Sequence, residues 1–260
     1  MFPLAKKLRT GLRVLIGKGP RAVWLLLADK AVRFLRTRPG GLIRLDGCVF
    51  RSDPDLKKWL LNGEYEGPER LAAKRYIRRD IPVVEFGGAQ GVVSCLLNRR
   101  LKNPSNHVVV EANPQILPTL FENRKRNRCN FEILHGAAGG VGKSVRIYIG
   151  EKVLTSSAVA AERESVEVPA LTLADILQSR GFGRCALMCD IEGSELEMIR
   201  AEMDTLRSRV EVFIVEFHPG INGSEPVEEA RLLLKTHGFT EAWHQQDVFV
   251  YQNAALANPA

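Results

Sequence analysis

Four short stretches carry the residue types and spacings that could do chemistry. In VVEFGGAQGVVS, residues 83–94, an apolar run meets Gly87, Gly88 and Gly91 and then turns apolar again. That pattern predicts a strand turning tightly into a helix around a group that needs close backbone approach. Glu85 stands two residues before the first glycine, where it would repel a pyrophosphate, and the G-x-G-x-x-G spacing of a dinucleotide site is missing. A carboxylate there suits a ligand with an ammonium group and a sulfonium, and S-adenosylmethionine carries both. In HVVVEANP, Glu111 ends the next apolar run twenty residues beyond Gly91, where a carboxylate can accept hydrogen bonds from ribose hydroxyls.

The other two stretches are acidic. CDIEGSELEMI supplies Asp190, Glu192 and Glu195 where a predicted strand passes into a helix, and VEFHP puts Glu216 and His218 at the end of another strand. A carboxylate at such an edge can take or share the proton of an acceptor hydroxyl. His218 is a second candidate proton acceptor, since an unperturbed imidazole titrates near 6.5. Acids at a helix start also suit the helix dipole, a role that fits Glu195 best. Asp190 and Glu192 are assigned to the crevice, and Gly88 to packing. Nothing in the spacing of Asp190, Glu192 and His218 requires a metal, and none is expected.

These residues need a frame to hold them. Apolar runs at 82–86, 107–111, 131–134, 186–190, 210–217 and 247–252 read as strands, and helical stretches separate most of them. The alternation predicts an α/β fold: a Rossmann-like, doubly wound, mostly parallel sheet with an antiparallel C-terminal strand. An extra strand pair is expected at 144–149 and 165–168. Ahead of the sheet, GLIRLDGCVFRSDPD reads as a hairpin or strand and GPERLAAKRYIRR as a helix beginning at Pro68. YEGPE, with Tyr65 and Glu66, is a candidate lid, although acids and a proline in a first helical turn explain the same residues.

Residues 1–38 hold ten basic side chains against one acid, Asp29, so the net charge of +7 belongs to the N-terminus. Leucines at helical spacing between these cations predict a basic amphipathic helical extension, suited to an anionic membrane surface or to packing on the main domain. No nucleic-acid motif is found. AVWLLLA, 22–28, is far short of the roughly 20 residues that a spanning helix needs. Five cysteines without CxxC spacing suggest neither a disulfide framework nor a zinc site, and a reduced cytoplasmic setting fits them. The expected organisation is a helical extension (1–40), a lead-in hairpin and helix (41–80), a main domain (81–253) and a tail (254–260).

The segments VVEFGGAQGVVS, VVVEANPQILPTL, HGAAGG, LTLADIL, MCDIEGSELEMI and FIVEFHP resemble, in order and spacing, the FkbM-type methyltransferase family of class I S-adenosylmethionine-dependent O-methyltransferases. DIEGSE, similar to the usual D-V-E-G-A-E, is the most specific piece, and the match runs from about 65 to 252. The resemblance implies that Glu85, Gly87 and Gly91 line the methionine end of the cofactor. It further implies that Glu111 holds the ribose and that Ala137 lies near the adenine. Where the family has D-V-G-A-N-x-G, this chain has Glu85, Gly88 and Ala89 in place of Asp, Ala and Asn. The implied activity is methylation of a hydroxyl on a sugar, glycan, glycolipid or related metabolite. Two other readings stand beside it: a nucleotide-cofactor oxidoreductase, and a non-catalytic module of the same fold at a membrane or partner.

Overall fold

A computed structural model describes residues 41–52, 54–139, 142–149, 156–157 and 165–256. The basic extension expected at 1–40 and residues 257–260 of the tail lie outside them. The chain divides into two compact units, Met1–Tyr65 and Glu66–Ala260. In the first, β1 (Ile43–Leu45) pairs antiparallel with β2 (Cys48–Phe50), and α1 (Pro54–Asn62) follows. Asp46 and Gly47, at φ 45 and 85, make the two-residue turn between the strands, as Asp-Gly between apolar residues favours.

In the second unit α2 (Gly67–Tyr76) leads into β3 (Val83–Phe86), α3 (Val92–Asn98), β4 (His107–Glu111), α4 (Leu117–Arg126) and β5 (Glu132–His135). Four strands follow: β6 (Ala137–Ala138), β7 (Ser144–Ile149), β8 (Ser156–Ser157) and β9 (Ser165–Leu171). The chain then runs through α5 (Leu173–Arg180), β10 (Cys185–Cys189), α6 (Glu195–Arg209), β11 (Val210–Glu216), α7 (Pro219–Asn222), α8 (Ser224–Thr236), β12 (Phe239–Gln245) and β13 (Val248–Asn253). The lead-in expected as one piece at 41–80 is therefore divided. Its helix α2 belongs with the main domain because Ala72 and Ala73 pack into the same core as Val83, Val93 and Ile214.

The main sheet has the order β12-β13-β11-β10-β3-β4-β5. Its pairs from β5 to β11 are parallel, while β13 is antiparallel to β11 and β12 antiparallel to β13. Of the two C-terminal strands, β13 runs antiparallel to the parallel set, as the sequence suggested, and β12 is a second strand, directed like β11, that the sequence did not mark. The second, FTEAWHQ, has mostly exposed side chains at the sheet edge, so it lacks the apolar run by which a strand is recognised. Alternate residues of each central strand point to opposite faces. Val84, Phe86, Val110, Leu187 and Phe213 share a core with Leu177 of α5, Met198 of α6 and Leu234 of α8. Val83, Met188, Ile214 and Val250 share the other with α2 and with Val93 and Leu97 of α3. Burial on both faces explains why these strands read as unbroken apolar runs. Among the described residues no helix is long and apolar enough to cross a membrane.

A smaller sheet has the order β6-β9-β7-β8, with Ala137, Ile147 and Val168 buried together. In the main sheet the strand order reverses between β3 and β10: β4 and β5 lie on one side of β3, β10 and β11 on the other. Helices leave such neighbours on opposite faces, which opens a crevice at their carboxyl ends.

Candidate functional site

The glycine turn closes the carboxyl end of β3. A Cβ added at Gly87, φ 88, would stand 1.7 Å from the backbone oxygen of Asp190, so only a hydrogen lets the ends of β3 and β10 meet. Asp190 N–H donates to the Phe86 carbonyl at 2.9 Å across that junction. Gly88 faces Val109, 2.3 Å from an added Cβ, and Gly91, φ 77 at the start of α3, faces Leu120 at 2.5 Å. Ala89 is left-handed at φ 43, a conformation costing an L-residue about 1–2 kcal/mol. In that conformation its N–H donates to Glu111 Oε2 at 2.7 Å, and Asn113 N–H donates to Glu111 Oε1 at 2.7 Å. Each oxygen of Glu111 keeps further acceptor capacity. Burial pushes the Glu111 carboxyl up to about 7, against the pull of the Asn113, Ala89 and Ala112 backbone amides.

Glu85, expected at the methionine end of a cofactor, is only 4% exposed and turned into the interior. Ser94 Oγ donates to its Oε1 at 2.7 Å, and His107 Nε2 lies 3.1 Å from its Oε2. His107 Nδ1 meets Asn98 Nδ2 at 3.3 Å, and Asn98 Oδ1 accepts from Asn130 N at 2.9 Å. The carboxylate therefore ties β3 to α3 and β4. Strand alternation puts it on the face covered by α2 and α3, so it is not an open acid beside the glycine turn.

Asp190, Glu192 and His218 meet at the ends of β10 and β11. His218 Nε2 lies 3.4 Å from Asp190 Oδ1 and 3.7 Å from Glu192 Oε2. Its Nδ1 lies 2.8 Å from Glu195 Oε1, an oxygen that also accepts the Gly193 N–H at 3.0 Å. Glu195 is thereby a positioning residue for the imidazole, and Asn222 of α7 donates to the Gly193 carbonyl beneath. Glu192 is left-handed at φ 52. Burial lifts Asp190 to about 8, opposed by His218 and helped by Glu192, Glu69 and Glu195. For His218 burial acts downward, but the Glu195 hydrogen bond and the charges of Glu195, Asp190 and Glu192 prevail and lift it to about 9. Burial also lifts Glu216 to about 10, with Asp190 and a hydrogen bond from Glu69 adding to it. Glu216 is thereby held in its protonated form more firmly than Asp190.

Two cavities open on these groups and share Gly87 and Asp190. The larger, about 760 Å³, is lined among others by Ala89, Glu111, Ile116, Ala137, Ile147 and Glu192. The smaller, about 340 Å³, is lined by Glu66, Glu69, Glu85 and Glu216 with the ends of β3, β10 and β11. Glu69 is 7% exposed, and its Oε2 has no hydrogen-bond partner. No lysine or arginine lines either cavity among the described residues. Of the sequence candidates, Gly87, Glu111, Ala137, Asp190 and Glu192 border the larger cavity and Glu85 the smaller. Gly91 and His218 border neither. Asn113, Ile116, Val145 and Ile147 were not singled out beforehand, although the period-two pattern of SVRIYI marks the last two as one face. Glu69 was also passed over, because an acid in a first helical turn reads as an ordinary helix start.

Residues 85–241 match a family model described as the methyltransferase FkbM domain. No curated protein matches the sequence. Among solved structures, a methyltransferase FkbM from Methylobacillus flagellatus is 12% identical with a TM-score of 0.47; the match covers 90% of this chain and 60% of that one. A precorrin-6y methyltransferase from Geobacter metallireducens is 15% identical with a TM-score of 0.45, covering 78% of this chain and 90% of that one. Fibrillarin from Aeropyrum pernix, solved with natively bound S-adenosyl-L-methionine, is 12% identical with a TM-score of 0.40, covering 67% of this chain and 66% of that one.

Proposed function

Since the chain belongs to the FkbM methyltransferase family, we propose that it is an S-adenosylmethionine-dependent O-methyltransferase acting on a hydroxyl of a sugar, glycan, glycolipid or related metabolite. The observation that carries this reading is the charge of the crevice. Among the described residues, both cavities are walled by carboxyl groups and neither by a lysine or arginine. Such a lining suits a ligand with a sulfonium and an ammonium group, and it leaves a pyrophosphate without a counter-charge.

The residues present fit the cofactor. Glu111 would hold the ribose hydroxyls with its remaining lone pairs, and Ile116, Ala137 and Ile147 offer an apolar wall for a flat base. Glu69 and Glu66 stand where an ammonium group would find carboxylates. When bound, S-adenosylmethionine supplies a methyl group on a sulfonium, so that an acceptor oxygen gains a C–O bond as the C–S bond breaks and its electron pair stays on sulfur. The chain must then align the acceptor and receive its proton. Asp190 lines the larger cavity and is the carboxylate that accepts that proton. Glu192 borders the same cavity and orients the hydroxyl, while Glu195 holds His218 against both carboxylates.

A thermal-shift comparison tests the cofactor. A ligand at 100 times its Kd stabilises by about 2.7 kcal/mol. S-adenosylmethionine and its demethylated product should raise the Tm, and NAD should not; a rise with NAD alone would overturn the reading. Cofactor demethylation above the acceptor-free background, screened over hydroxylated sugars and glycolipids, then tests the acceptor class.

A further inference from the structure

Asp190, Glu192 and His218 each offer one potential ligand atom, and the three atoms converge within 4.8 Å of one another. We infer that they form a divalent-cation site at the mouth of the larger cavity, whose open coordination positions receive the acceptor hydroxyl. Two ligands at about 2.1 Å from a metal stand about 3.0 Å apart when adjacent and about 4.2 Å apart when opposite. The measured 3.4 Å and 3.7 Å from Nε2 to the two carboxylates fall between those limits. Asp190 Oδ1 is shut off from solvent without a hydrogen-bond donor, as an atom facing a cation would be.

The surroundings of His218 add independent support. Metal-ligating histidines typically donate their other ring N–H to a carboxylate, which fixes the tautomer and aims the lone pair. Here Nδ1 lies 2.8 Å from Glu195 Oε1, leaving Nε2 to face the two carboxylates. Glu195 is 2% exposed and held by the Gly193 N–H, so the imidazole is braced from behind. Two carboxylates and one imidazole suit Mn²⁺, Mg²⁺ or Zn²⁺. Asp190 and Glu192 also border the larger cavity, so a hydroxyl entering it could complete the coordination and be made more acidic there. Each carboxylate spends one oxygen on the cation, so Asp190 keeps its second for the acceptor proton. Cation binding does not depend on which acceptor is methylated.

The test is Mn²⁺ binding to the full chain at neutral pH, followed by electron paramagnetic resonance and calorimetry without cofactor or acceptor. One Mn²⁺ per chain is expected, lost in both Asp190→Asn and His218→Asn. Glu195→Gln should weaken binding by about 10- to 100-fold through misorientation of the imidazole. Glu229→Gln, which removes an exposed carboxylate paired with Arg200, should bind as the parent does. Far-ultraviolet circular dichroism and S-adenosylmethionine binding identify variants that have kept the fold. No uptake at about 1 mM Mn²⁺, the weak end of protein cation sites, overturns the inference. Undiminished binding in the folded Asp190→Asn and His218→Asn variants overturns it as well, as does equal loss in Glu229→Gln.

Discussion

Glu111→Ala probes the link from the glycine turn to cofactor binding. The Glu111 carboxylate accepts 2.7 Å hydrogen bonds from Ala89 N and Asn113 N, and its remaining lone pairs face the cavity. A hydrogen bond to a charged acceptor contributes about 1.5–3 kcal/mol, so loss of the ribose contact should weaken S-adenosylmethionine binding by about 10- to 150-fold. Protonation sharpens the test, since the carboxyl titrates at about 7 in the unliganded fold. The ionised form, which accepts both ribose hydroxyls, is about a tenth of the population at pH 6 and about nine-tenths at pH 8. Affinity should therefore rise about tenfold across that interval in the parent, and this Glu111-dependent rise should be absent in the variant. Stability moves the other way: a carboxyl raised from 4.5 unfolded to about 7 folded leaves the native state holding more protons between those values. The unliganded protein thus loses stability as pH rises from 4.5 to 7, by up to about 3 kcal/mol from this group. Calorimetry at pH 6 and 8 reads the affinities, and thermal unfolding from pH 4.5 to 8 checks the fold and reads the stability change. Equal affinity in parent and variant at pH 8, with the fold intact, would refute the assignment.

Other substitutions test the geometry around it. Ala89→Asn places a residue tolerant of left-handed backbone at φ 43 and should stabilise by about 1 kcal/mol, a Tm increase of about 2–4 °C; an unchanged or lower Tm would count against strain at that position. Gly87→Ala sets a Cβ 1.7 Å from the Asp190 carbonyl and should abolish folding or cofactor binding, visible in expression and calorimetry. Asp190→Asn keeps the size but removes the basic group, so turnover should fall by about 10²–10⁴-fold while cofactor affinity changes little; full turnover would move the proton to another group. Glu85→Gln disturbs the buried contacts with Ser94 and His107 and should cost about 3 kcal/mol in thermal unfolding, with cofactor affinity near that of the parent in the folded protein.

Much of the architecture was legible because it is written locally. Strands β3, β4, β10 and β11 are buried on both faces, so their apolar runs stand out without any partner being known. Gly87 and Gly91, both at positive φ, mark a turn, and Glu111 at a strand end is visible by its place alone. What the linear order could not carry is which groups meet. The closest approach to an added Gly87 Cβ comes from Asp190, more than a hundred residues away. Glu85 reads as an open acid until strand register and the packing of α3 turn it to Ser94 and His107. His218 becomes part of a site only because β10 and β11 pair in parallel and bring it to Glu195, Asp190 and Glu192. The physical reason is that periodic burial is a property of each segment, whereas electrostatic partnership depends on distances that exist only after distant segments have packed.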